Sequence, residues 1–229
     1  MESLSSGCAQ LDALLEALWP GDNVVFVGGE ALNYVALYRP ALAYAREAAL
    51  PTLTLGEVPD AATKQLTVAD IWDEAQAALR PGAIEAIPPR AYLVIAELSQ
   101  LLADEEQAVT FFTTVCPALY QRRAVAYWHL AAGAFSPHSL ARIRDCTQVF
   151  IRLERNGAES IITPLKVQGR YADDMFRPHR LITTPELAVL PLRADPLAQG
   201  EYALALESKN RELTAIRDEL NRVNALLEE

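Results

Sequence analysis

Short runs that are apolar at nearly every position recur along the chain, VVFV (24–27), AYLVIA (91–96) and AVAYWHL (124–130), and TLTL (52–55), by its β-branched content, and QVFIRLE (148–154) read as further strands. Uninterrupted apolar runs of this length fit strands buried on both faces, as in a parallel sheet. The segments between them carry helical spacing. Residues 9–18, AQLDALLEAL, place Leu11, Leu14, Leu15 and Leu18 on one face, and Pro20-Gly21 stops them. A helix is predicted over 34–49, with an irregular or late start because Pro40 lies inside it. Another is predicted over about 67–79, ending before Arg80-Pro81-Gly82, and a further one follows AYLVIA, with the segment TFFTTV–CPALYQRR after it. ESIITPLKVQG and RLITTPELAVLPL read as closing antiparallel strands. Strands alternating with helices predict an α/β fold: a mostly parallel twisted sheet flanked by helices.

From about residue 200 the texture changes. ALALESKNRELTAIRDELNRVNALLEE contains no Pro or Gly and alternates charges. Leu206, Leu213, Leu220 and Leu227 fall seven apart, and Lys209, Ile216 and Val223 follow the first three of them by three. This is a heptad seam. The chain therefore divides into a domain over 1–195 and a C-terminal coiled-coil helix over 196–229.

The charge of −10 changes the functional picture more than the 51% apolar composition does. A surface that acidic repels phosphate backbones and disfavours nucleic acid. The three cysteines, Cys8, Cys116 and Cys146, form no CxxC and have no His at ligand spacing, so no metal site is expected and buried thiols are. His129, inside an apolar run, reads as a satisfied core histidine. The first residues lack a basic segment followed by an apolar one, and no uncharged apolar run reaches membrane length, so a cytoplasmic protein with no membrane partner is expected.

One stretch carries the layout of a phosphate-binding loop. NVVFVGGEALNYV (23–35) passes from a buried strand through Gly28 and Gly29 toward a helix. With Gly28 as first glycine, the GxxxxGK[ST] spacing holds without insertion, yet Asn33, Tyr34 and Val35 stand where glycine, lysine and hydroxyl belong. Asn33 can replace glycine in a left-handed conformation. Tyr34 brings no positive charge and Val35 no metal ligand, while Glu30 and Asp22 add negative charge. The apolar strand AYLVIA ends at Ala96, where a magnesium-binding acid would stand, and Glu97, one residue on, would face the other way.

The opening SSGCAQLDALLEALWPGDNVVFVGG resembles the start of KaiC-like and RadA-like members of the RecA ATPase superfamily, with Ser6, Gly7, Leu11, Asp12, Leu14, Leu15 and Gly21 in the family pattern. TLTLGEVPD is similar to the family's second strand with its paired acids; Gly56 replaces the first and Glu57 keeps the second, as a vestigial catalytic candidate. PHSLARIRDCTQVFIRLE matches at His138, Leu140 and Asp145. LKVQGR resembles the segment that reaches a neighbouring subunit's nucleotide: Lys166 and Gly169 match and Gln168 replaces an arginine. The resemblance covers roughly residues 4–192.

The resemblance implies a RecA-like fold from which the phosphate-loop Lys and Thr, the strand-end Asp, one acid and the inter-subunit Arg are missing. It therefore implies a pseudo-ATPase without bound cofactor, acting in regulation or signalling by assembling with itself, most simply as a coiled-coil dimer, or with an active KaiC-like or signalling partner. An unconventional ATPase or kinase using Glu57 and Lys166 with ATP and magnesium, a RadA-type DNA-associated protein, and a domain holding another small ligand are the alternatives.

Overall fold

In a computed structural model, residues 3–59, 64–102, 104–184 and 186–192 are described; the heptad seam from Leu206 to Leu227 lies outside them. In chain order the elements are α1 (Ala9–Leu15), β1 (Asn23–Gly28), α2 (Ala31–Glu47), β2 (Thr52–Leu55), β3 (Lys64–Leu66), α3 (Val68–Ile71), β4 (Trp72–Asp73), β5 (Ala78–Leu79), β6 (Tyr92–Glu97), α4 (Leu98–Leu101), α5 (Glu105–Gln121), β7 (Val125–Leu130), α6 (Pro137–Cys146), β8 (Val149–Asn156), β9 (Glu159–Val167), β10 (His179–Ile182) and β11 (Ala188–Pro191).

Nine of these strands form one sheet in the order β11-β10-β9-β8-β1-β7-β6-β2-β3. The stretch from β8 to β3 is parallel, and β9, β10 and β11 continue it antiparallel. Numbered among themselves, the five longer parallel strands run 5-1-4-3-2, which is neither the 3-2-1-4-5-6 nor the 2-1-3-4-5 doubly wound order.

Alternation along β1 explains the layering. Val24 and Phe26 point into a core with α1 and α2, where Leu11, Leu15, Leu37, Tyr38 and Leu42 pack. Val25 points the other way, to Phe111, Phe112, Val115 and Ile143 of α5 and α6. Both faces of the central strands are covered, hence their continuous apolar sequences. Among the described residues no helix is long and apolar enough to cross a membrane.

The sequence misleads in three places. α2 begins at Ala31 and runs through Pro40 to Glu47, neither late nor irregular at its start. Leu37, Tyr38, Ala41 and Leu42 on either side of the proline are buried, and that packing outweighs one missing backbone hydrogen bond. The helix predicted over 67–79 is a single turn, α3, followed by the antiparallel β4–β5 pair. Trp72 leaves the helical path to bury itself edge-on against Phe111 at 5.4 Å, and Asp73 Oδ1 accepts from the N–H groups of Ala75 and Gln76, turning the chain. Strand β3, at the sheet edge, carries no apolar run to announce it; its Lys64 and Gln65 are exposed.

Candidate functional site

The carboxyl ends of β1, β2, β6 and β7 lie side by side, and the residues singled out from the loop pattern gather at this edge. Gly28 and Gly29 have φ of 83° and 74°. A Cβ on Gly28 would stand 2.6 Å from Leu153 O, and one on Gly29 would meet the Leu153 side chain at 2.8 Å. These glycines let the turn lie flat on β8. A phosphate loop spends eight residues between strand and helix; here only Gly29 and Glu30 separate β1 from α2.

The rest of the loop pattern is absorbed into the helix. Asn33 is helical, not left-handed, because α2 has already started; its amide nitrogen donates to Ser160 Oγ at 3.1 Å. The backbone N–H groups of Asn33 and Tyr34 donate to Glu30 O at 3.0 and 3.4 Å, so they do not face a ligand. Val35 is half-buried against the α1–α2 core. The positive end of a helix favours an anion. In this chain the N-cap is Glu30, whose side chain makes no capping hydrogen bond and whose carboxylate is ion-paired with Arg155 of β8, placing a negative charge where an incoming anion would approach. Asp22 does not share the site. It precedes β1 at the opposite end of the strand, 2.8 Å from Arg170 Nη1 in a buried pair.

Tyr34 occupies the space above the strand ends. Its ring is buried, stacks on His129 at 4.8 Å and meets Tyr38 edge-on at 5.0 Å. Between Val94 and Glu97, β6 uses three steps where β7 uses two from Tyr127 to His129, which is a bulge. The Tyr34 hydroxyl stands 2.9 Å from Ile95 O and 2.8 Å from Tyr127 O, and its one proton is shared between these carbonyls at the bulge. Burial, the largest cause, and the neighbouring Tyr38 hold the phenol well above its ordinary pKa, so it stays a donor.

His129 is not the satisfied core histidine its sequence suggests. Its Nε2 is buried and has no hydrogen-bond partner among the described residues. Burial lowers its pKa, opposed by the charge of Glu97 and a hydrogen bond with Gly28, so the ring is biased toward neutrality. Nothing in the run AVAYWHL signals this, because the contact depends on Tyr34 arriving from a distant helix.

The acids are equally committed. β6 ends at Glu97 rather than Ala96. Glu97 caps α4, accepting from Ser99 N at 3.0 Å and Ser99 Oγ at 2.6 Å, and Ala131 N approaches at 3.4 Å. Gly56 and Ala96 are paired by packing: a Cβ on Gly56, at φ 79°, would lie 3.0 Å from that of Ala96 and 2.5 Å from Leu101 Cδ2. An acid at Gly56 would have to displace the Leu101 side chain and crowd Ala96. Glu57 follows on the exposed turn. Lys166 is not brought to this edge. It pairs with Phe150 near the start of β8, and its Nζ donates to Arg144 O at 2.7 Å and Asp145 O at 3.0 Å, at the end of α6.

These residues do not fit a magnesium nucleotide. The cradle is too short, the carboxylate of Glu30 flanks the helix start, and an aromatic plug fills the crevice. Among the described residues no group of three or more His, Cys, Asp or Glu stands together as a metal site. Compared with known proteins, the chain matches no family model and has no significant relative among curated proteins.

Proposed function

We propose that this chain is a catalytically inactive, KaiC-like pseudo-ATPase of RecA fold that serves as a regulatory or signalling scaffold through oligomerisation and protein–protein contact. The observation that carries the reading is Tyr34, whose hydroxyl bridges Ile95 O and Tyr127 O where a nucleotide's phosphates would need room. Its support is positional. The degenerate loop, Gly56-Glu57 and Ala96-Glu97 come from separate parts of the sequence, and all fall at the carboxyl edge of neighbouring parallel strands. Losses spread at random would not be packed against one another as Gly56 and Ala96 are. The proposed setting is the cytoplasm, where the unpaired Cys8, Cys116 and Cys146 stay reduced.

With no nucleotide to bind, a ligand-induced gain in stability is not expected: about 5 mM MgATP should leave the thermal midpoint within about 1 °C. A rise of several degrees would contradict the reading. Assembly is assigned to the seam Leu206, Leu213, Ile216, Leu220, Val223 and Leu227, with Lys209 weakening it. Light scattering on the full chain is expected to give a small oligomer, most simply a dimer. A double change, Leu213→Asp and Leu220→Asp, is expected to reduce it to a monomer. A monomer in both forms would remove the scaffold from the proposal.

A further inference from the structure

The chain reverses its winding at the crevice beside the carboxyl ends of β1 and β7. β1 leads into α2 on one face of the sheet, and its neighbour β7 leads into α6 on the other. Open α/β sheets hold ligands in crevices of this kind. On the α2 side the crevice is filled by Tyr34, Tyr38 and His129. On the α6 side it is open. A cavity of about 470 Å³ lies between α6 and the ends of β1 and β8, walled by Val27, Leu140, Ala141, Phe150, Leu153 and Leu165.

Two arginines stand in this wall, Arg144 from α6 and Arg152 from β8. Arg152 lies 3.2 Å from Glu154, so its charge is already shared. The Arg144 guanidinium has no hydrogen bond or ion pair with any described residue, although the Arg144 carbonyl accepts from Lys166. An open-sided, mostly apolar cleft with one guanidinium uncommitted among the described residues has a definite complement. We propose that this cavity binds a small organic acid, its apolar body against Leu140, Phe150 and Leu165 and its carboxylate on Arg144.

The volume falls within the range of small-molecule sites, roughly 300–1,000 Å³. A planar guanidinium matches a carboxylate with two parallel hydrogen bonds. A triphosphate is disfavoured because Arg152 is paired with Glu154, leaving a single guanidinium, enough for one carboxylate but not for several phosphate charges. A sugar is excluded because, apart from the two arginines and Glu154, no side chain of the wall offers a polar group to its hydroxyls. The proposal is independent of any nucleotide chemistry on the opposite side of the sheet.

Calorimetry on the full chain with decanoate, and separately with decanol, tests it. Decanoate is expected to bind with a single molecule per chain, and decanol about tenfold more weakly, because a hydrogen bond to a charged group is lost. Arg144→Gln is expected to reduce decanoate to the level of decanol and to leave decanol unchanged. Ala141→Phe, which fills the cavity, is expected to abolish both. Arg144 is exposed and its replacement leaves the core intact, so that variant decides the matter even where Ala141→Phe fails to fold. Failure of decanoate to bind, equal affinities for decanoate and decanol, or decanoate binding indifferent to Arg144→Gln would each overturn the assignment.

Discussion

Tyr34→Ala is expected to cost about 4 kcal/mol of folding stability, the range for truncating a large buried aromatic. The side chain is 5% exposed and packs between His129, Tyr38 and Phe26, so its loss leaves a void that rigid strand ends cannot collapse to fill. Tyr34→Phe separates the two roles of the residue. It keeps the ring and removes only the proton shared by Ile95 O and Tyr127 O, and is expected to cost about 2 kcal/mol, as for a buried acceptor left unpaired. Urea titrations should show both variants with lowered midpoints and unchanged slopes. A Tyr34→Phe protein as stable as the parent would mean that the bulge carbonyls have another donor, and the plug would lose its anchor.

Gly7→Ala is the second large effect. Gly7 has φ of 74°, and a Cβ there would run into the carbonyl of Pro40 and lie 2.8 Å from the Pro40 ring. The segment cannot move aside, because Leu4, Ser6 and Cys8 around it are all buried and Ser6 N donates to Asp12 Oδ1 at 2.7 Å. Left-handed strain and the backbone collision together are expected to cost about 3 kcal/mol. The same titration reads it, and a loss below about 0.5 kcal/mol, the level of an indifferent surface change, would refute the close approach. Gly7 and Pro40 thus depend on each other: the turn of α2 that contains Pro40 is the surface against which the N-terminal segment lies.

What was legible in the sequence follows from how each element is held. The central strands are covered on both faces, so burial is written into nearly every residue of VVFV, AYLVIA and AVAYWHL. The sheet edge is not, so β3 carries no apolar run that marks it as a strand. Periodicity over 67–79 suggested a helix, but the pattern does not record that Trp72 gains more by inserting against Phe111 than by continuing a helical face. The loop was recognisable by its spacing; the early start of α2 was not, since Pro40 argued locally for delay and the packing that overrules it is tertiary.

The site shows the same division. Tyr34, Gly56, Ala96 and Glu97 were visible as departures from a pattern, one residue at a time. Their physical coupling was not, because it lies between segments: Tyr34 with His129, Gly56 with Ala96, and Glu30 with Arg155. The cavity beside α6 left no trace in the sequence, as Arg144 differs from any exposed helical arginine only by what β8 places beneath it.

The proposed function turns on this edge of the sheet binding no nucleotide. Calorimetric titration of the full chain with ATP in the presence of magnesium tests it most directly. The expected result is no heat beyond dilution, corresponding to a Kd weaker than about 1 mM, or less than about 4 kcal/mol of binding free energy. A micromolar affinity, or ATP turnover that disappears on Glu57→Gln, would contradict it.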